Sequence, residues 1–132
     1  MKRFFALLLI PVTLLALTGC NRISIRDDGN AVLRYSDIGF GDTGEFSQTL
    51  TEEETRMVKE YLTSAAYFSG IAGCPFDERV SIVFGDQIFA IAGDDCPTIW
   101  MAGTDKYYTI SEEGRKYIVS LFEKYVGSSP RV

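Results

Sequence analysis

The sequence contains no histidine. Ser-His-Asp and Cys-His nucleophile arrangements are therefore excluded, and the commonest general base is missing. Cysteine is scarce, three in 132 residues, which argues against a disulfide-dense scaffold. Positive charge is the minority sign, with 13 Lys and Arg against 18 Asp and Glu. An acidic chain is a poor ligand for nucleic acid and is repelled by anionic surfaces. No nucleic-acid partner is expected, and a basic protein partner fits better than an acidic one. Long apolar runs are also rare. One stands out, residues 4–19, and Pro11 interrupts it. A spanning helix needs roughly 20 apolar residues, so a permanent transmembrane anchor is the weaker reading of that run.

What is present at the N-terminus fits an export signal better. Lys2 and Arg3 supply a charged start, "FFALLLIPVTLLALTG" an apolar stretch, and small residues close it. The closing "LTGC", Leu17-Thr18-Gly19-Cys20, resembles the lipobox of bacterial lipoproteins: an aliphatic residue, two small ones, then cysteine. The resemblance covers the first 20 residues. It implies cleavage before Cys20, diacylglycerol on the Cys20 thiol and acylation of the new N-terminus, palmitate being typical. Two or more acyl chains give a stable anchor where one is marginal. The membrane is then a partner through Cys20. Asn21 follows the anchor where an Asp would hold an enteric-type lipoprotein at the inner membrane. The expectation, for a Gram-negative source, is an outer-membrane protein facing the periplasm.

Removing residues 1–19 leaves a single domain, 20–132. Taking Lys2 and Arg3 from the 13 basic residues leaves 11 against 18 acidic, a net charge of −7. Cys74 and Cys96 remain besides Cys20. In an oxidising compartment such a pair reads as a disulfide. Two thiols with no histidine fall short of a tetrahedral metal site.

Alternation and turn residues predict a hairpin over 23–37, with Ile23 and Ile25 on its first strand, "DDGN" at the turn, and Val32, Leu33 and Tyr35 on its second. Residues 38–44 read as a loop and 45–50 as a short strand. "TEEE" (51–54) is a capping box, and Met57, Val58, Tyr61, Leu62, Ala65 and Phe68 then share a helical face. Further strands are expected over 79–85, 87–93, 98–103 and 106–110. Ser111 caps a second helix, whose face holds Tyr117, Ile118, Leu121, Phe122 and Tyr125. "TLTEE" (49–53) and "TISEE" (109–113) match at an offset of 60, and "ISI" (23–25) and "VSI" (80–82) at 57, a pattern open to internal duplication or to convergence of helix caps. The order βββα-ββββα predicts an α+β domain. It has an antiparallel twisted sheet of about seven strands with both amphipathic helices on one face.

Candidate chemistry is sparse. "GDTG" (41–44) resembles the catalytic triplet of aspartic proteases. It departs from that pattern in what precedes and follows it and in having no second copy, and a glycine-rich turn explains it better. Asp94 and Asp95, with Asp86, offer hard oxygen ligands suited to calcium, but their spacing fits a solvated turn. The 39–44 loop lacks the lysine and following helix of a phosphate cradle. No catalytic residue, metal or cofactor is expected. Trp100, Tyr107 and Tyr108 read as core more readily than as a binding strip. Binding is expected on the sheet face away from the helices or on loops, with Phe40, Asp42, Asp94 and Asp95 as candidates. The function expected is non-catalytic binding or envelope structure. The alternative is inhibition of a basic incoming enzyme such as a lysozyme-type glycosidase, and a hydrolase comes third.

Overall fold

Thr51 and Ser111 each hold an extended backbone and turn their hydroxyls onto the third residue ahead, accepting from the N–H of Glu54 (3.2 Å) and Gly114 (3.1 Å). In this computed structural model, which describes residues 21–36 and 45–130, these caps open the two helices, α1 (Glu52–Thr63) and α2 (Glu112–Val126). Acidic residues fill both first turns, complementing the helix dipoles. Glu54 completes the capping box by accepting from the Thr51 N–H at 3.0 Å. Its counterpart in α2 is Gly114, where a Cβ would come within 2.9 Å of the Ile110 and Tyr61 side chains, so close helix packing demands glycine there. Gly127 ends α2 with φ 84°, a left-handed conformation that glycine adopts at little cost.

Seven strands form one antiparallel sheet: β1 (Val32–Ser36), β2 (Glu45–Thr49), β3 (Ala66–Phe68), β4 (Ser81–Phe84), β5 (Gln87–Ile91), β6 (Thr98–Met101) and β7 (Tyr107–Thr109). Their spatial order is β2-β1-β4-β5-β6-β7-β3. The α+β class, the antiparallel sheet and both helices agree with the sequence reading. The chain order is ββα then βββββα, and two details account for the difference.

Residues 23–28 form no strand. The Gln87 amide takes the place of a strand partner, donating to the Ser24 carbonyl (2.8 Å) and accepting from the Arg26 N–H (3.0 Å). Ile23 still buries its side chain in the core. The turn chemistry of "DDGN" does operate, as Asp27 accepts from the Gly29 N–H at 2.7 Å.

The second difference is at the end of α1, which stops at Thr63 rather than running on to Phe68. The Thr63 and Ser64 hydroxyls bond to the Lys59 and Glu60 carbonyls (both 2.8 Å or less). The chain then pairs as β3 against β7, Phe68 opposite Tyr107. The offset-60 echo holds for the caps and for Val58/Ile118 and Leu62/Phe122, all buried. It does not extend upstream, since "ISI" (23–25) is not a strand and residues 81–82 of "VSI" are.

Register and the two-residue period of strands assign the faces. Leu33, Ile82 and Phe89 are cross-strand partners, as are Ile91, Ile99 and Tyr108. These residues form the core with Val58, Leu62, Ile118, Leu121 and Phe122 of the helices. Tyr35 and Phe122 meet edge to face at 6.3 Å. Both helices therefore cover one face.

The sheet also has two ends. One end holds the Gly85–Asp86 turn, the 102–106 turn and the 23–28 segment, tied there by Gln87 and by the Arg26–Asp86 pair at 3.3 Å. Asp27 reaches Gly85 so closely that a Cβ at Gly85 would collide with its carboxylate. The opposite end holds Ser36 and Glu45, which flank residues 37–44, and the turn from Ala92 to Pro97.

Candidate functional site

On the face away from the helices, the chain between β3 and β4 crosses the sheet. The Gly93 N–H donates to the Pro75 carbonyl (3.3 Å) and the Ser81 hydroxyl to the Glu78 carbonyl (2.7 Å). The disulfide Cys74–Cys96, with Cα atoms 6.2 Å apart, fixes this crossing to the Ala92–Pro97 turn. A loop of that length contributes about 3 kcal/mol on the chain-entropy account. Beneath it, Ser81, Ala90 and Ala92 are fully buried, and their small size lets the strap lie close.

Phe76 from this strap packs against Trp100 (ring centroids 6.3 Å) and Tyr107 (5.8 Å). Trp100 is thus half-buried on the open face rather than in the helix-side core, while Tyr108, one residue along, is core. The indole N–H donates to the Thr104 carbonyl at 2.8 Å, which points the ring towards the 102–106 turn. Phe68 (37% exposed), opposite Tyr107, and Ile71 (88%) in the loop that follows stand in solvent, while Tyr67 (44%) lies on the other face of β3 against Tyr108. Residues 61–76 carry no charged side chain. Among the described strand residues, only Arg34 and Glu45 bring charge to this face.

Asp94 and Asp95 are exposed. The Asp94 carboxylate accepts from the Cys96 N–H at 2.9 Å. It lies within 4.8 Å of both sulfurs, which are spent on each other and so are not thiolate ligands. Arg115 of α2 braces the turn by donating to the carbonyls of Cys96 (2.8 Å) and Asp94. Asp86 sits at the other end of the sheet, paired with Arg26, so the three-carboxylate calcium grouping is not assembled. Cys20, Phe40 and Asp42 lie outside the described residues.

A cleft of about 800 Å³ runs between α2 and the Gly93–Pro97 turn, walled by Ile110 and Val119 and rimmed by Asp95, Glu112, Arg115 and Lys116. Its basic groups are engaged: Lys116 pairs with Glu112 at 2.7 Å and Arg115 holds the turn. A second cleft, of about 450 Å³, lies between Arg34, Glu45 and Arg79 on the open face.

Sequence reasoning missed three features. Phe68 and Ile71 were hidden in a helix tail and a loop. Arg115 carried no local signal. The third feature is the clasp between helices, in which Glu54 accepts from Lys124 Nζ (2.7 Å) and the Tyr125 hydroxyl (2.8 Å). Burial acts to raise the Glu54 pKa. Hydrogen bonds from Lys124, the Thr51 N–H and Tyr125, together with the Lys124 charge, outweigh it and lower the pKa to about 2.

No family model, no curated protein and no solved structure matches this chain. Among the described residues, no helix is long and apolar enough to cross a membrane.

Proposed function

We propose that this chain is a bacterial envelope lipoprotein, acylated at Cys20, whose folded domain acts by binding rather than by catalysis. The observation that carries the reading is where folded structure begins. The lipobox-like "LTGC" ends at Cys20, and Ile23, three residues on, is already buried with Gln87 clamping Ser24 and Arg26. Three residues span at most about 10 Å, so acyl chains on Cys20 would hold the domain against the bilayer with no stalk. Beside the larger cleft and the disulfide, Lys116 pairs with Glu112, and Arg115 and Asp94 brace the Ala92–Pro97 turn, an arrangement that favours binding over turnover.

The test is mass spectrometry of the mature protein. A Cys20 N-terminus carrying diacylglycerol and an acyl chain is expected, and Cys20→Ser should leave an uncleaved or soluble form. An unmodified Cys20 in mature protein overturns the anchor. Lipidated protein used as bait on detergent-solubilised envelope then distinguishes roles. A retained envelope protein supports assembly, a retained basic glycosidase supports inhibition, and turnover of an envelope substrate overturns the binding reading.

A further inference from the structure

We propose that Cys74 and Cys96, once reduced, join Asp94 in a three-ligand site for a thiophilic divalent cation, Zn²⁺ foremost. The strap is then latched to the Ala92–Pro97 turn by a disulfide in one redox state and by a metal ion in the other, whether or not Cys20 carries lipid.

Three observations converge. The first is the ligand set. The two sulfurs and an Asp94 carboxylate oxygen all lie within 4.8 Å of one another. Ligand atoms around a tetrahedral zinc stand about 3–4 Å apart. Cutting the S–S bond frees χ1 of both cysteines, and small rotations then open the sulfurs to that spacing. Two thiolates and one carboxylate leave the fourth position to water, the pattern of zinc sites with three protein ligands. Thiolates select zinc over magnesium or calcium. The second observation is that each ligand is held by contacts the disulfide does not supply. The Asp94 carboxylate accepts from the Cys96 N–H at 2.9 Å and keeps further lone pairs for a cation. Arg115 donates to the carbonyls of Asp94 and Cys96, which fixes the turn that carries two of the three ligands. On the strap, the Pro75 carbonyl accepts from the Gly93 N–H and Phe76 packs on Trp100 and Tyr107, so Cys74 stays beside the turn when the bond is cut. Outer contacts of this kind orient metal ligands and strengthen binding. The third is access. Cys74 and Cys96 are half-buried and Asp94 is exposed, open to a reductant and to an ion alike.

The chemistry balances with a dithiol as reductant. One of its thiolates attacks a sulfur of the Cys74–Cys96 bond, and its second thiol resolves the mixed disulfide. The protein gains two electrons and two protons as two thiols, and the reductant leaves as a cyclic disulfide. Zn²⁺ then forms two zinc–sulfur bonds and one bond to the Asp94 carboxylate, and both thiol protons pass to solvent.

The test uses the full-length protein in detergent, reduced with a phosphine that is then removed under anaerobic conditions. Titration with Zn²⁺ should show a single ion bound per chain with about two protons released, and Cd²⁺ should give the ultraviolet charge-transfer band of cadmium thiolate. Asp94→Asn keeps an acceptor for the Cys96 N–H. It should weaken Zn²⁺ binding by about 10-fold or more while leaving the circular dichroism unchanged. Cys74→Ser should abolish the cadmium band, which separates this site from the thiol of Cys20. A reduced chain that loses its fold and regains it with Zn²⁺ supports the site. Zinc held at full strength by Asp94→Asn, by Cys74→Ser or by the oxidised protein overturns it. So does a reduced chain with both thiols free that binds no zinc, whether or not it keeps its fold.

Discussion

The two faces of the sheet share the same strands and differ in what covers them. On one face Leu33, Ile82, Phe89 and Ile99 meet α1 and α2 and are almost wholly excluded from water. On the other, small residues (Ser81, Ala90, Ala92) lie under a strap stapled by one disulfide, and larger aromatics gather at the edge beyond it. The covered face is held by packing of large aliphatic and aromatic side chains, whose removal leaves a cavity. The open face is held by a covalent link and by close approach over small residues, so its large side chains are free of that duty. Large side chains are thereby packed on one side of the layer and partly exposed on the other.

The comparison breaks most readily at the helices. Leu121→Ala removes a buried side chain between α2 and the sheet, and a loss of about 2–5 kcal/mol is expected, measured by urea unfolding. A loss of under about 1 kcal/mol would mean that α2 can collapse onto the sheet or that it packs loosely.

Much of this covered face was legible locally. The capping residues Thr51, Glu54 and Ser111 and the spacing of Val58, Leu62, Ile118 and Phe122 are short-range signals, and each corresponds to what the fold does with those residues. The errors came where a distant group decided the outcome. Phe68 continues the helical spacing of Leu62 and Ala65, yet hydroxyl–carbonyl bonds at Thr63 and Ser64 and pairing with β7 turn it into a strand. Ile23 and Ile25 alternate as a strand does, but Gln87, more than 60 residues away, satisfies their neighbours' backbone groups. The aromatic edge was illegible for the same reason. Phe76 lies in a loop without periodicity and meets Trp100 through the folded strap. Of the binding candidates, Asp94 and Asp95 are placed at the disulfide turn, while Phe40 and Asp42 fall outside the described residues.

Acid should weaken the covered face through the Glu54 clasp. The folded pKa of Glu54, about 2, lies below its ordinary value of 4.5. Its contribution is therefore fully present above pH 4.5 and is lost as the pH falls from 4.5 towards 2. Lys124 is largely exposed, so solvent screening cuts the effect to about 1–2 kcal/mol. Glu54→Gln should lower stability by that amount at pH 7 and should flatten the dependence on pH between 4.5 and 2. An unchanged slope in denaturant melts across that range would remove Glu54 from the account.

The smallest expected effect is the one that most sharpens the contrast. Ile71 is as apolar as the core isoleucines, and a sequence reader would count it with them. It stands in solvent, beyond the disulfide strap, in a loop bounded by Gly70 and Gly73. Ile71→Ser removes no packed contact and opens no cavity, so stability should change by no more than about 0.5 kcal/mol. Ile82→Ser at the centre of β4 places a hydroxyl in the core and removes a fully buried side chain, so it should cost several times more, about 3 kcal/mol or above. The pair is read by chemical denaturation of the same protein under the same conditions. A large loss from Ile71→Ser would show that this residue is packed in solution. The open edge would then belong to the hydrophobic core, and the division of labour between the two faces would fail.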